Sequence, residues 1–234
     1  MKKCLTGLVL LIMMITFSVS SYAAASGEIV VNGTGVVTVA PDIAYVSLGV
    51  SLIAPTAQDA QTKNALVMSQ IMADLINDGL NKKDLQTSNF SLYPEYKYNK
   101  DSEPGQIIGY RVTNQVTVTV REISKVGAVI DLAIKAGATN INSVIFSVSA
   151  TEEWRNKVIE AAVTEARAKA DIMAKAAKVT IKRVLAINES SINVQPVQMD
   201  AMFKSASLRN VAVSTPIEAG DVKITVDIQM KFEI

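Results

Sequence analysis

Apolar and polar residues alternate most strictly near the C-terminal end of the chain. Val222, Ile224, Val226, Ile228, Met230 and Phe232 fall on one side, and Lys223, Thr225, Asp227, Gln229, Lys231 and Glu233 on the other. This two-residue period predicts a strand with one buried face. The same period sets Ala44, Val46, Leu48, Val50 and Leu52 against Tyr45, Ser47, Gly49 and Ser51. It also sets Val112, Val116, Val118 and Val120 against Arg111, Thr113, Gln115, Thr117, Thr119 and Arg121, so half of that strand is buried. Residues 29–39 are β-rich and lead through Ala40-Pro41-Asp42 into the Ala44 strand. Proline presets one dihedral and aspartate caps locally, so the tripeptide predicts a turn and the two strands a hairpin. Residues 86–98, 141–148 and 182–188 read as further extended runs, and the polar residues 99–105 as a hairpin loop.

Helical spacing fills the gaps between strands. Thr56 with Asp59 three residues on opens a first helix, whose apolar stripe is Ala60, Met68, Ile71, Met72 and Leu75. Gly79 is placed to end it in the left-handed conformation. Residues 123–136 form a second helix through Val126, Ile130 and Ala133, with Gly137 as its stop. Thr151 caps the longest helix, which runs to about Ala177 and carries Ile159, Ala162, Val163, Ala166, Ala170 and Met173 on one side. Its other side holds Glu153/Lys157, Glu165/Lys169 and Asp171/Lys175 at i, i+4 spacing, which reads as a solvated face.

From Ile43 the order is β-α-β-β-α-β, the ferredoxin-like arrangement. The fold class expected is therefore α+β: a ferredoxin-like module over residues 43–150, inserted into and interleaved with an outer module. The outer module, residues 28–53 plus 151–234 with strand 43–53 shared, is a second antiparallel sheet packed on one long helix. Residues 191–220 show no convincing period, and loops of that length are usually functional or disordered. Met199, Met202 and Phe203 within them are the candidate oligomer or partner contacts.

The N-terminal end changes the picture of where the protein works. Lys2 and Lys3, an apolar stretch over residues 5–17 and Ala23-Ala24-Ala25 compose a secretory signal over residues 1–25, cleaved after Ala25 or Ala23. The apolar stretch is interrupted and short of the roughly 20 residues a membrane span needs. Cys4 precedes it, where lipoprotein processing does not occur. Without Lys2 and Lys3 the 23 basic residues fall to 21 against 22 acidic ones, a net charge of −1, which draws the protein to neither nucleic acid nor anionic lipid.

Composition removes most chemistry. The chain has no histidine and its one cysteine is Cys4, so Ser-His-Asp and Cys-His catalysis, histidine-ligated metals and thiol redox are all excluded from the exported body. Gly33-Thr34-Gly35 lacks the third glycine and the following helix of a phosphate loop, and reads as glycines that permit close strand packing. Met199 and Met202 are soft-ligand types, but on a long loop they read as contact surface. Tyr93, Tyr96, Tyr98 and Tyr110 gather near one hairpin, as cross-strand packing or as a ligand platform. No catalytic, cofactor-binding or metal-ligating residue is assigned, and no cofactor is expected.

Several strings, in order and spacing, resemble one family. They include Val31-Asn32-Gly33-Thr34-Gly35, Pro41-Asp42-Ile43-Ala44, Asp84-Leu85-Gln86-Thr87-Ser88, Tyr93-Pro94-Glu95-Tyr96, Gly109-Tyr110-Arg111-Val112, Glu165-Ala166-Arg167-Ala168-Lys169-Ala170 and Pro216-Ile217-Glu218-Ala219-Gly220. Together they resemble the SIMPL-domain family, of the periplasmic immunogenic protein type. The resemblance implies an α+β fold of two interleaved parts, a periplasmic or outer-membrane-associated location, self-assembly into ring-like oligomers, and a role in oxidative or envelope stress defence. It carries over no catalytic residues. One departure is Lys178-Val179-Thr180-Ile181-Lys182 after the long helix, where glycines are usual.

The expectation is a non-enzymatic cell-envelope protein acting through self-assembly as a homo-oligomer. The alternative is a periplasmic module binding a small ligand or metal, between the sheets or on the tyrosine hairpin. A hydrolase using paired carboxylates is the third class, and no paired acidic motif supports it.

Overall fold

The computed structural model describes residues 27–97, 105–149, 152–196 and 215–234. The expected signal segment, Thr151, most of the 99–105 loop, Tyr98, Met199, Met202 and Phe203 lie outside the described residues. The strands and helices of the described residues are β1 Glu28–Val39, β2 Ile43–Ala54, α1 Ala57–Asn77, β3 Leu85–Lys97, β4 Gln106–Val120, α2 Val126–Lys135, β5 Asn140–Ser147, α3 Glu152–Ala177, β6 Arg183–Glu189, β7 Asn193–Pro196 and β8 Val222–Glu233. They form an α+β architecture with two antiparallel sheets, each with its own apolar core.

The first sheet has the order β3-β4-β2-β5, with β2 paired to β4 on one side and β5 on the other. That is the arrangement β-α-β-β-α-β predicts. Both α1 and α2 pack on one face, where Val46, Leu48, Val116 and Val118 meet Met68, Ile71, Leu75, Val126 and Ile130. Thr56 caps α1 as expected: its hydroxyl accepts from the Asp59 amide and donates to the Asp59 carboxylate at 2.8 Å. The buried stripe of α1 runs Ala60, Asn64, Met68, Ile71, Leu75, so a polar side chain sits inside it.

In the second sheet β8 lies in the centre, paired along its full length with β1 and on its other side with β6 and β7. The expected β1–β2 hairpin does not form; the two strands belong to different sheets. Tight two-residue hairpins favour a glycine in the turn; Ala40-Pro41-Asp42 has none, and Pro41 is held at negative φ. Instead the tripeptide carries the chain from one sheet to the other. Asp42 secures the crossing: its amide donates to Ser147 O at 3.1 Å, and its carboxylate accepts from the Ser149 amide at 2.6 Å and from the Ser149 hydroxyl. β7 is the second correction. It falls within residues 191–220, where no period is expected, because four residues are too few to display one.

α3 lies across β1 and β8, burying Val158, Ala162, Ala166, Ala170 and Ala174, an unbroken i, i+4 row. Met173, expected on that stripe, is 48% exposed. The row of alanines and the glycines beneath it allow near-contact between backbones. A Cβ on Gly33 would stand 2.1 Å from Ala162 O, and one on Gly35 1.9 Å from Val158 O. The Gly33-Thr34-Gly35 string thus serves close packing of helix on strand.

Two of the i, i+4 pairs on α3 form as read, Glu153–Lys157 at 2.7 Å and Glu165–Lys169 at 3.0 Å, whereas Asp171 pairs backward with Arg167 at 3.1 Å. The Glu165–Lys169 pair is more than a solvated face. The Thr34 amide donates to the Glu165 carboxylate and Lys169 Nζ donates to Asn32 O at 3.0 Å. β1 is an edge strand, so these side chains satisfy edge groups that otherwise invite another strand. The same contact holds Glu165 below the usual carboxylate range, through the Thr34 amide first and Lys169 second.

All three helices end alike. In α1, Leu80 N bonds Leu75 O and Gly79 N bonds Ile76 O; in α2, Ala138 N bonds Ala133 O and Gly137 N bonds Ile134 O; in α3, Val179 N bonds Ala174 O and Lys178 N bonds Lys175 O. Within two residues of each helix end one residue takes positive φ: +103° at Gly79, +109° at Gly137 and +57° at Lys178. The departure from glycine thus leaves the turn geometry intact and strains one residue. A side chain in this conformation costs about 1 kcal/mol. Lys178→Gly is therefore expected to raise stability by about 0.5–1 kcal/mol in urea unfolding; a loss of stability would show that the lysine side chain contributes more than its backbone strain costs.

Candidate functional site

The face of the first sheet opposite α1 and α2 displays residues that the fold does not use for its core. Cross-strand pairing fixes what it displays. Tyr45, Ser47, Ser51 and Ile53 of β2 stand opposite Thr119, Thr117, Thr113 and Arg111 of β4. Outside them, Asn89, Ser91 and Tyr93 of β3 meet Gln115, Thr113 and Arg111, and Ser143 and Ile145 of β5 meet Ser47 and Tyr45. No described helix packs on this side.

The interior of the face is hydroxyl and amide. Ser51 and Thr113 share a hydrogen bond at 3.1 Å, and Asn142 Nδ2 donates to Ser47 Oγ at 3.4 Å. Charge enters as Arg111 and Glu95, which neutralise each other at 2.8 Å; the Arg111 guanidinium holds the Glu95 carboxyl below its ordinary range. Large apolar side chains mark the two ends: Tyr45 and Ile145 at one, Ile53 and Tyr93 at the other, between 37% and 48% exposed. Surfaces that stay wet usually carry Lys and Glu, whereas the centres of protein–protein interfaces are depleted of both and enriched in tyrosine.

The four tyrosines separate. Tyr93 pairs across to Arg111 on the open face, Tyr96 pairs with Ile107 beyond a register shift, and Tyr110 pairs with Pro94 and packs toward Ala54, Ala60 and Val112 on the helix side. They are therefore not one platform; Tyr110 serves the core. Among the described residues no three His, Cys, Asp or Glu side chains converge as a metal site requires. The open face itself was partly legible: the polar half of the alternation in residues 44–52 and 111–121 names its interior.

A model of the family SIMPL, described as a protein of unknown function (DUF541), matches residues 29–232. The chain belongs to the SIMPL family. This SIMPL protein is 34% identical over 215 residues to the 26 kDa periplasmic immunogenic protein of Brucella melitensis, a match covering 88% of this chain and 84% of the relative. It is 30% identical over 183 residues to the uncharacterized protein YggE of Edwardsiella ictaluri, covering 78% and 76%. With YggE of Escherichia coli (strain K12) it shares 28% over 224 residues, covering 92% and 89%. The matched segment begins in β1 and ends in β8, so one family domain spans both sheets.

Proposed function

We propose that this SIMPL protein is a non-enzymatic component of the periplasm that works by self-assembly, in the service of envelope stress defence. The periplasmic placement draws on the name of the Brucella relative and on the signal-like composition of residues 1–25. The observation that carries the assembly reading is the four-strand open face, neutral in charge and bordered by Tyr45, Ile145, Ile53 and Tyr93. A second copy fits such a face: hydroxyls and amides satisfy each other across the contact, and desolvating them costs far less than desolvating lysine or glutamate.

The test is a double variant, Ile53→Asp with Ile145→Asp, which places one negative charge at each end of the face. Both side chains are about half exposed, so the fold is expected to tolerate the change within about 1 kcal/mol. The expected result is a lower assembly mass in size exclusion with light scattering, at an unchanged circular dichroism spectrum. An unchanged mass would remove the open face from the assembly.

A further inference from the structure

The two sheets treat their edges differently. On β1, the edge of the second sheet, Glu165 and Lys169 take backbone groups of Thr34 and Asn32. β3, an edge of the first sheet, has no such cover: among the described residues no side chain or loop hydrogen-bonds to the backbone of residues 86–93 from outside the β3–β4 ladder. Residues 85–94 carry no charged side chain, although charge, lysine above all, is the usual guard on an open edge. The guards β3 does have, a register shift between Thr87 and Asn89 and the proline Pro94, sit on either side of residues 89–93 and leave them open.

The helix layer above this edge is also unfinished. Phe90 and Leu92 pair across to Asn114 and Val112, and Val112 is buried beside Ala60 of α1, so both apolar side chains lie on the helix side of the sheet. They are nevertheless 54% and 37% exposed, because α1 sits over β2 and β4 and α2 over β2. The three charged residues of α1, Asp59, Lys63 and Asp74, all fall on the α2 side of its buried row at about 100° per residue. The flank turned toward β3 holds Gln58, Gln61, Ala65, Ser69 and Ile76, all exposed and uncharged, where an exposed helix face ordinarily carries charge.

We propose that β3 is an interface between two copies of this chain. The two β3 strands pair antiparallel about a two-fold axis normal to the sheet, and join two four-stranded sheets into one of eight strands. The occupant of this edge has to bring a free strand and, in the layer above it, an uncharged helix flank. A second copy brings both, and its α1 faces the first α1 across a strip of Phe90 and Leu92 from each chain. No charged side chain of residues 85–94 or of the α1 flank has to be desolvated. α1 has 21 residues and is about 30 Å long, so a contact of that length and two layers deep is on the scale of the roughly 800 Å² per partner in a stable pair. The inference does not rest on the open face, which lies on the other side of the sheet; a chain with both contacts assembles beyond two copies.

The experiment starts from the chain with Ile53→Asp and Ile145→Asp, which removes the open face from assembly. Light scattering after size exclusion is expected to give a dimer, and addition of Phe90→Lys and Leu92→Lys a monomer with an unchanged circular dichroism spectrum. Hydrogen exchange reads the same contact without the lysines. Alternate amides of an edge strand point outward, so in the dimer all amides of residues 89–93 are slow, and in the four-site variant about half of them exchange roughly tenfold faster or more while those of β4 stay slow. A starting variant that keeps the parent mass and loses it only with the lysines would sink the open face and uphold the β3 contact. A monomeric starting variant, an unchanged mass on adding the lysines, or fast exchange of the outward β3 amides before they are added would each overturn the proposal.

Discussion

Gly35→Ala is expected to destabilise the protein by about 3 kcal/mol or more in urea unfolding. The added methyl would stand 1.9 Å from Val158 O and 3.0 Å from Ala162 N. Both are backbone atoms of α3, so no rotamer change relieves the clash and the helix must lift from β1. Lifting it opens the contact of Val158, Ala162, Ala166 and Ala170 with β1 and β8, which is the core of the second sheet. It also draws Glu165 and Lys169 away from the β1 edge groups they satisfy. Gly27→Ala is the matched control, because its methyl meets the flexible side chain of Ile234 at 2.8 Å; its cost is expected to stay under about 1 kcal/mol. Equal effects at the two positions would contradict the close helix–strand contact.

Asn64→Asp is expected to cost about 3–5 kcal/mol at neutral pH. Asn64 is 1% exposed in the stripe of α1, and its Nδ2 donates to Val50 O at 2.9 Å, while Oδ1 has no partner among the described residues. An aspartate there sets a buried negative charge against a carbonyl oxygen. Burial disfavours the charged form, so the folded-state pKa of the introduced carboxyl rises above its unfolded value. The sign of the pH dependence follows. Below the unfolded pKa the carboxyl is protonated in both states and donates to Val50 O, so the penalty is absent; it grows as pH rises through the interval between the two values and is complete above the folded-state value. Asn64→Leu, which removes the unpaired oxygen and the charge question but also takes the Nδ2 donor from Val50 O, is expected to cost about 1–3 kcal/mol, equally at acid and neutral pH. Thermal melts of the three proteins at acid and neutral pH check this. A penalty on Asn64→Asp that does not shrink on acidification would show that the site is not dry.

Asn64 also shows where reading the sequence stops. Its spacing between Ala60 and Met68 puts it in the buried stripe, and an apolar-residue filter passes over it. The strands that alternate cleanly, β2, β4 and β8, were legible because one-sided burial imposes period two on composition. The β-α-β-β-α-β order gave the first sheet its topology, since connections of that length leave few ways to close it. What alternation does not encode is the partner of each strand. β1 follows the strand rule as well as β2 does, and its pairing with β8 is set by the packing of α3 on Gly33 and Gly35. Glu165 and Lys169 matched the rule for solvated i, i+4 pairs; their contacts to Asn32 and Thr34, 137 and 131 residues away in the chain, leave no local trace.

The open face divides in the same way. Its hydroxyl interior is the polar half of two legible strands, while its apolar ends depend on cross-strand pairing, which brings Ile145 beside Tyr45 and Tyr93 beside Arg111. The tyrosines looked like one cluster because they are close in sequence, and the pleat turns Tyr110 away from Tyr93.

The most direct test of assembly through this surface is the solution mass of the chain from Ser26 onward, by light scattering after size exclusion across a dilution series. A discrete multiple of the monomer that persists on dilution is the result expected. A monomer at every concentration would contradict the proposed function.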